Sequence, residues 1–111
     1  MSDRELLEKA AKAAGYEVEF SADGLSCWFK GKTTSWRPLF SDGDALRLAV
    51  KLSLDLYNYS WADDPHIEAS HEKGSEFGYA SEHFANHDSD RYAATRRAIV
   101  RAAAAIEESH E

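Results

Sequence analysis

The sequence pattern predicts a strand, a second strand and a helix twice in this chain, at an offset of 49 residues. Matching residues occur in all three elements: 17–19 with 66–68, Ser21 with Ser70, Trp28 with Phe77, and positions 45, 47, 49 and 50 with 94, 96, 98 and 99. Because the elements share one offset, two ββα units are the favoured interpretation. Each match is weak alone, so a chance alignment of two amphipathic ββα segments stays open as the alternative.

Capping and turn residues predict where the elements begin and end. Ser2 and Glu5 have capping-box spacing and Gly15 stands at a helix stop, which predicts a helix over Asp3–Ala14. A hairpin of Tyr16–Phe20 and Leu25–Lys30 is predicted next, followed by an optional strand at Thr33–Arg37 that Pro38 ends. A helix capped by Ser41 or Asp42 follows, and then a strand-like stretch, Tyr57–Trp61. The last predicted elements are a hairpin of His66–Ser70 and Glu76–Ala80 and a helix over Asp90–Glu108. The expected fold class is α+β, an antiparallel sheet with helices packed on one face, in the order α-β-β-(β)-α-β-β-α.

The segment Trp36–Leu52 joins an extended stretch to a capped helix. The apolar positions of this second helix form a wide stripe, which predicts burial on two sides: Leu46, Ala49, Val50 and Leu54, widened by Leu48, Leu52 and Leu56. The last helix is expected to bury Tyr92, Thr95, Ile99, Ala102, Ala103 and Ile106. Residues 81–88 precede its cap and are expected to form a loop.

Size and charge restrict the class of protein. A chain of 111 residues fits one domain, 1–111, and its lone cysteine excludes an intramolecular disulfide, so we expect a reducing cytoplasm. No apolar run approaches the roughly 20 residues of a membrane span, and no signal peptide is evident. The formal net charge of −7 disfavours direct nucleic-acid binding and allows a basic partner. The favoured interpretation is that the acidic surface only keeps a small protein soluble and monomeric.

No catalytic constellation is present in the sequence, and we assign no catalytic residue and no cofactor. His83 and His87 are four residues apart beside Asp88 and Asp90, which is zinc-like spacing if the segment is helical. Because the segment is expected to be a loop, a solvated polar stretch is the favoured interpretation. These two histidines are therefore only weak metal candidates.

Charged turns and one helix face supply candidate contacts for a partner. Acidic residues concentrate in turns and caps, where they serve ordinary structural roles or, if clustered, mimic the phosphates of a nucleic acid. Arg97 and Arg101 share one face of the last helix and either contact an acidic group or pair with the chain's own carboxylates. The candidate partner-binding residues are Asp42, Asp44, Asp63, Asp64, Glu72, Glu76, Glu82, Arg97 and Arg101.

Aromatic residues and the cysteine have simpler interpretations. Trp28, Trp36 and Trp61, with neighbouring tyrosines and Phe77, form a stacking platform in one interpretation and sheet or core packing in the favoured one, since no basic groove accompanies them. Cys27 lies in a predicted strand with no basic neighbour in sequence, which predicts a buried and unreactive thiol.

Two blocks, Trp36–Leu52 and Tyr92–Ala104, resemble a family of small uncharacterised proteins encoded by phages and prophages of proteobacteria. The resemblance implies a phage accessory protein in the host cytoplasm, without enzymatic activity, that binds and inhibits a host protein. An anti-CRISPR-like or other anti-defence inhibitor is the implied class, and a basic nucleic-acid-binding complex the implied target. The alternatives are a structural or homo-oligomeric phage component, as monomer or homodimer, and a histidine-based metal-binding protein.

Overall fold

A computed structural model describes residues 1–24 and 26–110 and has the expected α+β fold. The elements are α1 (Asp3–Ala14), β1 (Val18–Phe20), β2 (Cys27–Phe29), α2 (Asp42–Lys51), β3 (Asp55–Tyr59), β4 (His66–Lys73), β5 (Glu76–His83), a 3-10 helix (Phe84–His87) and α3 (Arg91–Glu108). Strands β1 and β2 form an antiparallel hairpin, and β3, β4 and β5 form a separate antiparallel sheet in that order. Within the described part of the chain, no helix is long and apolar enough to cross a membrane.

The helix α1 begins and ends where its capping residues predicted. The side chain of Ser2 accepts a hydrogen bond from the backbone N–H of Glu5, and Gly15 adopts a φ of 75° that a side chain would disfavour. Leu6, Ala10 and their helical neighbours are buried against the rest of the core. The predicted helix over Asp3–Ala14 is therefore confirmed.

The prediction that α2 is buried on two sides is wrong. Leu46 and Val50 are 58% and 70% exposed, while Ala45, Leu48 and Ala49 are buried. The broad apolar pattern included residues beyond the helix, which is capped at Leu52 after Lys51. Because α2 buries a single stripe, its other apolar face remains on the surface.

The helix α3 lies at the centre of the molecule and is buried on two sides. Ala94, Ala98 and Ala102, spaced four residues apart, pack with β4 and β5. Ile99 and Val100 belong instead to the cluster that includes α1 and α2. The expected burial of Tyr92 is wrong, because this residue lies in the first turn and is exposed. Small side chains on α3 allow a layer of elements to approach it from each side.

Gly78 marks the closest approach of the sheet to α3. A Cβ atom at this position would overlap the carbonyl oxygen of Ala102 and lie 2.6 Å from Cγ1 of Ile106. A glycine inside a strand commonly marks such a contact between backbones. The packing of α3 on β5 therefore requires a residue without a side chain here.

The optional strand at Thr33–Arg37 does not form, apart from one bridge between Trp28 and Ser35. The N–H of Arg37 donates instead to the carboxylate of Asp44, 2.9 Å away, which joins the segment to α2. Trp36 is buried and its ring packs against Tyr16 and Phe29, at centroid distances of 6.0 and 6.4 Å. Leu25, which the sequence placed in the second strand, lies outside the described residues.

An additional strand forms after α2 rather than before it. The aromatic stretch predicted to be strand-like lies mostly in β3, Asp55–Tyr59. The expectation of a loop over residues 81–88 is wrong for most of its length, because residues 81–83 complete β5 and Phe84–His87 form the 3-10 helix. Phe84 is buried against the sheet, which supplies the apolar contact that orders this segment. The element order is thus α-β-β-α-β-β-β-α.

We expect Gly78→Ala to destabilise the protein by about 3 kcal/mol, since the new methyl group meets backbone and not a flexible side chain. The matched control is Gly43→Ala in α2, where a Cβ would face only the guanidinium of Arg47. Urea unfolding checks both variants. Equal stability of the two would contradict the proposed close approach.

Candidate protein-binding face

Among the residues that the structure describes, a helix covers one side of the three-stranded sheet, and none covers the other. Strand residues alternate between the two sides, and Ile67, Ala69 and Ala80 point towards α3. The register therefore assigns the opposite side, which we call the outer face, to Asp55, Tyr57, Tyr59, His66, Glu68, Ser70, Glu72, Phe77, Tyr79, Ser81 and His83.

Large aromatic side chains are exposed on the outer face and on the turn beside it. Trp61, in the turn between β3 and β4, is 79% exposed. Tyr57, Phe77 and Tyr79 are each about half exposed, one on β3 and two on β5. Exposed aromatic surface of this kind is typical of protein interaction sites, because burying it on a partner is favourable.

Strands β3 and β4 and the turn between them are rich in carboxylates. The sequence has no lysine or arginine between Lys51 and Lys73, a segment that contains β3, the turn and nearly all of β4. Its carboxylates are Asp55, Asp63, Asp64, Glu68 and Glu72. Strands β3 and β4 therefore present an acidic surface, interspersed with aromatic rings.

Two histidines connect the Trp61 turn to the sheet. His66 stacks on Tyr59 at a centroid distance of 4.8 Å, and the ring of His83 lies 5.4 Å from that of His66. Nδ1 of His83 is 3.1 Å from a carboxylate oxygen of Asp64, without hydrogen-bond geometry. Tyr59 in turn contacts Trp61 at 5.9 Å. The position of the exposed tryptophan thus depends on this histidine cluster, formed by Tyr59, Asp64, His66 and His83.

The surroundings of His66 favour its protonated form. The carbonyl of Asp64 accepts a hydrogen bond from Nδ1 at 2.8 Å, and the carboxylate of Glu68 lies 3.1 Å from Nε2. These acceptors, the Asp64 carbonyl foremost, raise the pKa of His66 above its ordinary value of 6.5. The resulting stabilisation is fully present below the unfolded-state pKa and is lost as the pH rises through the folded-state pKa.

A second polar cluster lies on the helix side of the sheet. Glu82 is 9% exposed, and its carboxylate contacts Nε2 of His87 at 2.7 Å and the guanidinium of Arg101. The same guanidinium donates to the carbonyl of Ser81 at 3.0 Å. This cluster joins β5, the 3-10 helix and α3, and the charge of Glu82 is already compensated within the protein.

The predicted partner-binding residues are divided by the fold. Asp63, Asp64 and Glu72 lie on or beside the outer face, whereas Glu82 and Arg101 pair with each other on the opposite side. The others are engaged within the chain: Asp42 with Arg96 at 2.6 Å, Asp44 with Arg47 at 2.7 Å, Glu76 with His71 at 3.2 Å and Arg97 with Asp3 at 3.1 Å. Arg96, Arg97 and Arg101 of α3 thus pair with the chain's own carboxylates.

The weak metal candidates are not brought together. His83 contacts Asp64 on the outer face, whereas His87 contacts Glu82 on the helix side. Within residues 1–24 and 26–110, no three histidine, cysteine or acidic side chains are arranged to hold a metal ion.

Cys27 is buried, as its position in the strand predicted. Burial raises the pKa of its thiol to about 11, because the charged thiolate loses its hydration. The thiol is therefore protonated at neutral pH.

Asp55 and Glu68 belong to the outer face but were not among the predicted contacts. The alternation of Asp55, Tyr57 and Tyr59 with Leu56 and Asn58 is the signal that assigns residues to one side of a strand. The sequence prediction starts this strand at Tyr57 and not at Asp55, so Asp55 falls outside the alternating pattern.

We expect Arg101→Ala to lower the free energy of unfolding by about 2–3 kcal/mol, because it leaves Glu82 buried with less compensation. Arg97→Ala is the control, since it removes an exposed ion pair from the same helix and is expected to cost less than about 1 kcal/mol. Chemical denaturation measures the difference, and equal losses would refute the distinction.

The pKa of His66, followed by NMR, is expected to lie above 6.5 and to fall in Glu68→Gln, which removes one of the acceptors. Glu72→Gln removes the same charge from the outer face without touching this ring and is expected to change the pKa less. A His66 pKa insensitive to Glu68→Gln would show that the carboxylate does not stabilise the imidazolium.

Comparison with protein-family models, curated proteins and solved structures finds no match to this chain. The assignment of a functional surface therefore depends on the geometry described above.

Proposed function

We propose that this protein is a non-enzymatic binding protein whose outer face docks on a basic surface of a protein partner. The observation that carries the proposal is the coincidence of Trp61 and its exposed aromatic neighbours with a segment that contains five carboxylates and no lysine or arginine. Aromatic rings supply area that becomes favourable when buried, and the carboxylates select a positively charged partner.

Direct binding of nucleic acid fits this surface poorly. Exposed aromatic rings stack on bases in many single-strand binding proteins, but those proteins combine the rings with a positively charged groove. Here the charged residues nearest in sequence to Tyr57 and Trp61 are Asp55 and Asp63, whose carboxylates repel phosphates. A protein that itself binds nucleic acid through a basic channel is a better complement, because the acidic face takes the place of the phosphates.

The resemblance to phage and prophage proteins gives the proposal a biological setting. In that setting the partner is a protein of the bacterial host, and the outcome of binding is inhibition, as for an anti-CRISPR-like or other anti-defence protein acting in the host cytoplasm. The acidic and aromatic composition of the outer face supports the kind of contact such an inhibitor makes.

The proposal predicts that Trp61→Ala combined with Tyr57→Ala weakens capture of the partner from host lysate at least tenfold, since exposed aromatic anchors commonly dominate such interfaces. Tyr92→Ala combined with Phe40→Ala is the control, because it removes two aromatic side chains that are exposed away from the outer face. Affinity capture at low salt, followed by quantification of the retained proteins, measures the effect.

A charge-reversal pair tests the electrostatic part of the proposal. The double variant Asp63→Lys with Glu72→Lys is expected to abolish capture of the partner. The control is Glu17→Lys with Glu19→Lys, which changes the net charge by the same amount at and beside β1 and is expected to retain most of the capture. Capture by the wild type is expected to weaken as salt is raised. Recovery of no partner at low salt, or equal losses in both pairs, would overturn the proposal.

A further inference from the structure

The strand β3 has a free edge. Within residues 1–24 and 26–110 it is hydrogen-bonded to β4 alone, and Asp55–Asn58 are exposed. All five residues pair one to one with β4, without a bulge. The strand also contains no lysine, arginine or proline. Bulges, lysines and prolines are the common means of preventing edge strands from pairing with other chains, so β3 lacks these protections.

We propose that β3 pairs antiparallel with β3 of a second copy of this chain, about a twofold axis at Tyr57. This axis is the one that pairs all five residues of each strand. A twofold interface requires the strand to be complementary to itself, which its residues allow. The proposal does not depend on the partner proposed for the outer face.

The register about Tyr57 brings no two like charges opposite each other. It places Asp55 opposite Tyr59 of the other copy, Leu56 opposite Asn58, and Tyr57 opposite its own equivalent. The sole charged residue of β3 is Asp55, at one end, so the antiparallel arrangement places the two carboxylates at opposite ends of the interface. Opposed aromatic residues are among the favourable cross-strand pairs.

The segments that flank β3 are complementary in charge. Lys51, the exposed last residue of α2, precedes the strand, and Asp63 and Asp64 follow it in the turn. An antiparallel pairing brings the start of one strand beside the end of the other. Lys51 of each copy therefore lies at the same end of the interface as the acidic turn of its partner. Because of the twofold symmetry, this attraction between Lys51 and the acidic turn occurs at both ends of the interface.

The paired strands would form one sheet of six strands, because a twofold axis perpendicular to the sheet keeps both outer faces on the same side. A five-residue strand is only about 17 Å long, so the interface is small and the dimer weak. Each copy carries a net charge of −7, and salt screens the repulsion between copies. The dimer is therefore expected to strengthen with salt, whereas binding of a basic partner weakens.

Sedimentation equilibrium of the purified full chain tests the inference. We expect the mass to rise from 12.4 kDa at ~10 µM towards twice that value at ~1 mM, with a larger rise at higher salt. Leu56→Lys with Asn58→Lys places lysines opposite each other across the axis and is expected to hold the protein as a monomer. Leu46→Lys with Val50→Lys adds the same charges to an exposed apolar face of α2 and is the control, expected to dimerise at least as strongly as the wild type.

Hydrogen exchange of the wild type gives a second measurement that needs no substitution. Protection of the β3 amides is expected to increase with protein concentration, while protection of α1 does not. A monomer throughout the concentration range, an undiminished dimer in Leu56→Lys with Asn58→Lys, or β3 exchange independent of concentration would each overturn the inference. A protein that captures its partner and remains monomeric would refute the dimer and leave the proposed function standing.

Discussion

The close packing of α3 on β5 is the contact on which the rest of the structure depends. Gly78 lets the strand meet the backbone of Ala102, and the alanines of α3 keep the helix narrow enough to be buried on two sides. One side of α3 supports the three-stranded sheet, and the other supports α1 and α2. Because protein interiors are close-packed, a methyl group added at Gly78 has no gap to fill and would push β5 away from α3.

This arrangement also determines which charges remain available. Glu82 points towards α3, where the guanidinium of Arg101 compensates its charge, and it also contacts Nε2 of His87, so it contributes to stability. The carboxylates on alternate residues of β4, Glu68 and Glu72, point away from the helix and are not paired with an arginine of α3 as Glu82 is. The difference between a structural carboxylate and a candidate contact is therefore one of strand face, set by a single-residue step along the chain.

The caps and helix boundaries could be predicted well because their causes are local. Ser2, Gly15, Ser41 and Asp90 act on backbone groups within a few residues, so spacing alone predicts them. The burial of α2 could not be predicted in the same way. Leu46 and Val50 fit an apolar stripe as well as Leu48 does, and only the position of α3 leaves them exposed.

The sequence by itself determined the α+β class, the two strand–strand–helix segments and the acidic character of the region between Lys51 and Lys73. Tertiary structure decided that, in the described part of the chain, the strands form two sheets, β3 lies at an edge, and one aromatic face has no helix over it. The physical reason is the distance along the chain over which each property is determined. Caps, turns and charge density depend on neighbouring residues, whereas burial and strand pairing depend on residues that are distant in the chain. Candidate contacts chosen by charge alone were accordingly divided between a buried cluster, intramolecular ion pairs and the outer face.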